Sequence, residues 1–114
     1  KGFGKYGVAA KDKRTCEGVV FDSKGEMERW QFLILMRRAG QIGEVQRQVV
    51  YKLVVNGVLV CKYIADFVYE RDGQEIVEDF KGVMTPAARL KNKLFFAVFG
   101  KQISVVRSPK EWSN

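Results

Sequence analysis

Polar and apolar positions alternate with a period of two through the middle of the chain. Val45, Arg47 and Val49 fall on one side of such a run and Gln46, Gln48 and Val50 on the other, so residues 46–55 read as a strand. Asn56-Gly57 closes it with residues that accept positive φ. The return run from Val58 then pairs Val54 with Leu59 and Leu53 with Val60, and continues through a bend near Tyr63 to Glu70. Asp72-Gly73 is a second two-residue turn, and residues 75–81 complete an antiparallel meander of three strands. Counting outward from that turn sets Val68 opposite Val77 and Asp66 opposite Asp79, with Lys81 two positions further on the same face. Phe67, Tyr69, Ile76 and Phe80 take the other face, with Glu78 out of place among them.

Helical spacing brackets this meander. Ser23 followed by Glu26 is a capping-box pattern, and helix formers run from there to Arg38 before Ala39-Gly40 stops them. Met27, Trp30, Phe32, Leu33, Leu35 and Met36 offer a broad apolar surface for a sheet. Thr85 as N-cap and Pro86 in the first helical position open a second helix over residues 87–99, closed by Gly100. Its expected buried stripe is Leu90, Leu94, Ala97 and Val98. Residues 103–106 read as a last strand, so the order is α-β-β-β-α-β. Residues 1–15 carry five basic side chains and one acidic one, and read as a loosely attached arm. Lys5, Lys11, Lys13 and Arg14 there suit a phosphate backbone, or simply a solubilising terminus. Residues 108–114 read as a polar, frayed tail with Trp112 as its one anchor.

Composition narrows the chemistry. At 114 residues the chain is one domain, and its 20 basic against 13 acidic side chains, a net +7, favour a polyanionic partner, nucleic acid before a membrane. No apolar run reaches the length of a membrane span. Cys16 and Cys61 have no zinc-pair spacing and read as free thiols of a reducing compartment. The chain has no histidine, which removes imidazole metal sites and any histidine base.

Two facing carboxylates repel unless a positive charge sits between them. Asp66, Asp79 and Lys81 therefore read either as an exposed ionic face or as the site of a metal-dependent phosphodiesterase. In the second reading Asp66, Asp79 and the Phe80 carbonyl bind Mg²⁺, with Mn²⁺ suited to the same oxygens, and Glu26 completes the ligand set. Lys81 orients or deprotonates the attacking water or stabilises developing charge. Glu26 also has a purely structural reading, as the helix cap.

The segments FDSKGEMERW, YIADFVY and VEDFKG, with TPAARLKNKLFFAVFG behind them, resemble small phage and prophage proteins of the PD-(D/E)XK nuclease-like superfamily. That superfamily includes restriction endonucleases and Holliday-junction resolvases. The resemblance spans about Phe21 to Val106 and implies an α/β (α+β) restriction-endonuclease-like core, a mixed sheet flanked by helices. It implies Glu26, Asp66, Asp79 and Lys81 as catalytic residues, although Ala65 stands where the family name has proline. Gln48 is a supporting site residue in this reading, and Arg89, Lys91 and Lys93 are candidate phosphate contacts. The expected organisation is a basic arm (1–20), a nuclease-like domain (21–107) and a tail (108–114). The expected function is Mg²⁺-dependent cleavage of DNA, selective for branched structures such as Holliday junctions. A homodimer suits such two-fold substrates, and the implied setting is the cytoplasm of a bacterial host. The alternatives are a non-catalytic nucleic-acid-binding module of a phage recombination or packaging complex, and an interaction protein whose ionic face docks a partner.

Overall fold

The computed structural model describes residues 9–112 of the chain. A 3-10 turn, Lys11–Arg14, leads into the short strands β1 (Thr15–Cys16) and β2 (Val19–Val20), which pair antiparallel. Helix α1 (Lys24–Arg38) follows, then β3 (Gln46–Val55), β4 (Val58–Arg71), β5 (Gln74–Phe80), helix α2 (Pro86–Phe99) and β6 (Ser104–Val106). The main sheet has the order β3-β4-β5-β6, antiparallel until β6 joins β5 in parallel. This is an α/β fold, a mixed sheet flanked by two helices, with the topology of a restriction-endonuclease-like core. No helix among the described residues is long and apolar enough to cross a membrane. Both cysteines are free.

Local signals place the helices. Ser23 Oγ accepts the Glu26 backbone N–H at 3.0 Å, Thr85 Oγ1 accepts that of Ala88 at 3.1 Å, and Gly100 ends α2 with φ +68°. The turns at Asp72-Gly73 and Asn56-Gly57 form with both residues at positive φ. From the first, Arg71 pairs with Gln74 and Phe67 with Glu78, as counting predicts. The second hairpin departs from expectation. Val54 pairs with Leu59, but Leu53 meets Cys61 rather than Val60, so one extra residue is taken up beside the turn rather than in a bend at Tyr63.

Two cores lie on opposite faces of the sheet. Leu33, Phe21, Ile42, Phe67 and Tyr69 form one beneath α1, and Phe95 of α2 caps the other over Leu53, Tyr63, Ala65, Val68 and Val77. Residues two apart on a strand normally share a face. Here Val49 and Ala65 belong to the α2 core, whereas Val45 and Phe67 belong to the α1 core. Arg47, two before Val49, stacks on Phe21 at 4.2 Å on the α1 side. The inward face of the β3–β4 ribbon therefore changes sides at Gln48 and Asp66. Gln48 carries the change in its backbone, with φ +53° in mid-strand, a conformation costing about 1–2 kcal/mol for a residue with a Cβ.

Three expectations are corrected. On α2, Leu90 is 68% exposed and Ala97 is exposed, because the helix meets the sheet through Phe95 with Leu94 beside it. Residues 11–20 are folded against α1 rather than forming a loose arm; Arg14 donates to the carbonyls of Ala9 at 3.0 Å and Phe21 at 2.5 Å. As far as Trp112 the tail is not frayed: the expected anchor holds, its ring meeting Phe32 at 5.5 Å with the Arg71 guanidinium 4.2 Å from its centre.

Candidate active site

Glu78, the acid that fitted neither face, explains how the end of β5 is held. It is fully buried and takes two hydrogen bonds from Arg29 of α1, at 2.7 and 2.9 Å, and a third from the Tyr69 hydroxyl at 2.6 Å. Burial opposes the Arg29 charge, but the Glu78 hydrogen bond and charge outweigh it and raise the guanidinium pKa further. Arg29 also donates to the carbonyls of Pro109 and Glu111, joining α1, β5 and the C-terminal segment at one point. Sequence reasoning missed Arg29, which sits among apolar helix residues and finds its partner 49 residues away.

The neighbouring residue, Asp79, turns to the opposite face and is 2% exposed. Where the β4–β5 ladder ends, the two aspartates bond to each other's strands. The Phe80 N–H donates to Asp66 Oδ2 at 2.9 Å, and the Asp66 N–H donates to Asp79 Oδ1 at 3.3 Å. Lys81 Nζ stands 3.1 Å from Asp79 Oδ2. The Gln48 carboxamide, set at the strained point of β3, lies 3.4 Å from Glu26 Oε2 and 3.5 Å from Asp66 Oδ1. The fold thus brings together Glu26, Gln48, Asp66, Asp79 and Lys81. The Glu26 backbone N–H completes the Ser23 cap, and its side chain is buried, the residue being 4% exposed, where the Asp66 charge acts on it. Gly25 makes the approach possible, since a Cβ there would come within 2.6 Å of the Phe80 ring.

The acids repel one another. Burial, followed by the charges of Asp66 and Asp22, pushes Glu26 up to about 8, with Arg47 offsetting part of the rise. Burial and the Asp79 charge push Asp66 up to about 7, against the Phe80 N–H and Lys81, which favour its ionised form. Both groups hold their protons more tightly folded than unfolded, so their contribution to stability is complete below about pH 4 and is lost as pH rises through about 7–8. The melting temperature is expected to fall between about pH 5 and pH 8, by an amount corresponding to a few kcal/mol. Glu26→Gln should flatten that slope and melt above the wild type at the alkaline end. Circular dichroism melts across the range check this, and a wild-type melting temperature that is level or rising there would refute it.

Among the described residues, no group of three Asp, Glu, His or Cys side chains is arranged to hold a metal ion. The Gln48 carboxamide stands between Glu26 and Asp66, and Lys81 is paired with Asp79. The chemistry of the donors still suits a hard cation: the acids offer carboxylate oxygen, and a divalent ion would relieve the repulsion that raises Glu26 and Asp66.

The other predicted contacts are dispersed. Arg89, Lys91 and Lys93 are exposed on α2, as are Lys11 and Lys13 near the 3-10 turn, while Arg14 is committed to the two carbonyls it holds. Lys5 lies outside the described residues.

No curated protein and no solved structure matches the chain. Residues 4–113 match a family described as "Protein of unknown function (DUF1064)". With nearly its whole length matched, the chain belongs to the DUF1064 family.

Proposed function

We propose that this protein is a divalent-metal-dependent DNA endonuclease, selective for branched DNA such as Holliday junctions. The supporting observation is the join of Asp66 and Asp79 at the end of the β4–β5 ladder, with Lys81 3.1 Å from Asp79 and Glu26 reaching the pair through Gln48. Asp66, Asp79, Glu26 and the Phe80 carbonyl would hold Mg²⁺ or Mn²⁺. Bound there, the ion would neutralise phosphate charge and make a water more acidic. Lys81, the ammonium nearest the acids, orients the attacking water or stabilises charge on the phosphate oxygens. The net +7 charge concentrates the polyanionic substrate around the site. The buried ties of Arg29 to Glu78 keep the end of β5, and with it Asp79, in place.

A homodimer suits a two-fold substrate. Val50, Val54, Val58, Leu59, Val60 and Ile64 are exposed on the β3–β4 hairpin and provide apolar area for it. The genetic setting suggested by the sequence, a phage or prophage acting in a bacterial cytoplasm, belongs to the same proposal. So does the division into an N-terminal segment, a nuclease-like domain and a tail.

The test is a cleavage panel of four-way junction, linear duplex and single strand, in Mg²⁺, Mn²⁺ and EDTA, with mass measured by sedimentation. Metal-dependent cutting that favours the junction supports the proposal. If no substrate is cut in either metal, the endonuclease reading fails. The second reading, a non-catalytic DNA-binding module, is favoured in that no three acids converge among the described residues, and the same panel separates it by binding without cleavage.

A further inference from the structure

Beside the carboxylates, between the middle of β4, the end of β5 and the first half of α2, lies a cleft of about 310 Å³ that the proposed chemistry does not use. Asp79 and Lys81 line one end, so it is continuous with the candidate site, and Lys62, Tyr63, Lys91 and Asn92 line the rest. Neither Lys62 nor Lys91 has a carboxylate partner among the described residues, whereas Lys81 already pairs with Asp79.

Tyr63 supplies a second and independent observation. It is 5% exposed, packed against Phe95 with ring centres 5.3 Å apart, and its hydroxyl is buried without a hydrogen-bond partner among the described residues. Asp79 is near enough to act on the phenol through its charge and as a side-chain acceptor, short of a well-formed hydrogen bond. A buried hydroxyl without a partner costs stability that phenylalanine would not, since the ring packing needs no oxygen. Tyr63 is one of the residues that line the cleft, so a group bound there is a candidate partner for that oxygen.

We propose that this cleft is the subsite for a nucleic-acid backbone phosphate flanking the one at the carboxylates. Lys62 and Lys91 supply charge, and the Tyr63 hydroxyl and Asn92 carboxamide supply directed donors. The proposal rests on the nuclease reading for its geometry, but its test does not require cleavage.

The probe is a fluorescein-labelled DNA duplex titrated in EDTA by fluorescence anisotropy at several salt concentrations. Lys62→Gln and Lys91→Gln should each lower the salt slope by about one and weaken binding about 3–10-fold, while Arg38→Gln, which lies outside the cleft, should change both less. Tyr63→Phe should weaken binding about 3-fold while melting at or above the wild-type temperature, a combination that a purely structural tyrosine would not produce. Affinity and slope that are unchanged in the cleft variants, or lowered equally by Arg38→Gln, would overturn the subsite. Binding that depends on the cleft in a protein that never cuts would leave the subsite standing and refute only the nuclease reading.

Discussion

Replacing Asp79 with alanine is expected to abolish metal-dependent cleavage, with a loss of at least about 10²–10³-fold, while DNA affinity stays the same or tightens. Asp79 joins three parts of the site: its Oδ1 accepts the Asp66 N–H, its Oδ2 faces Lys81 Nζ at 3.1 Å, and it lines the adjoining cleft. Removing it takes away a hard oxygen ligand and frees Lys81 from its counter-charge. It also removes negative charge from a surface that must meet phosphate, so binding does not suffer. Asp66→Ala should behave in the same way, since its carboxylate is the other half of the join. Both aspartates also bond to backbone N–H groups, so Asp66→Asn and Asp79→Asn are the fold-preserving partners of these variants. Gel assays of cleavage and binding on one DNA, with a melting curve for each variant, give the readout. Cutting that persists in both alanine variants would remove these residues from the chemistry. Cleavage that falls only in step with unfolding would make them structural.

Arg29→Met is expected to destabilise the protein by about 3–5 kcal/mol, the cost of leaving a buried charge without its partner. Glu78 would remain fully buried with the Tyr69 hydroxyl still donating to it, and the carbonyls of Pro109 and Glu111 would lose their guanidinium. Glu78→Leu takes the carboxylate from the buried Arg29 charge and leaves it the carbonyls of Pro109 and Glu111. Arg29→Met combined with Glu78→Leu should recover much of the loss, because a well-packed apolar pair needs no counter-charge. Urea unfolding of the single and double variants measures the coupling. Single variants within about 1 kcal/mol of wild type would show that the pair is not the clamp its burial implies. If the clamp also steadies Asp79, the double variant will be stable yet slower in cleavage.

Local chemistry made much of this architecture legible. Ser23 and Thr85 cap the helices, and the Asp72-Gly73 turn sets Val68 against Val77 and directs Asp66 toward Asp79. These features depend on neighbouring residues and on turns that dictate pairing, so a single chain carries them openly. The Leu53–Cys61 register was missed because the shift beside Asn56-Gly57 takes up one residue with no glycine or proline to announce it. The buried stripe of α2 was misplaced because helical spacing limits the possible faces but does not say which one meets the sheet.

The sequence by itself determined the order of helices and strands, the main hairpin register, and the presence of Asp66, Asp79 and Lys81 at one end of it. Those follow from contacts short in sequence or propagated by a regular ladder. Only the tertiary structure decided that the Glu26 carboxylate turns inward beside Gly25, that Glu78 is neutralised by Arg29, and that the β3–β4 face changes sides at Gln48. It also decided that Tyr63 leaves a buried oxygen beside Asp79. Each of these depends on how α1 or α2 docks on the sheet, where burial and charge from distant segments outweigh local preference.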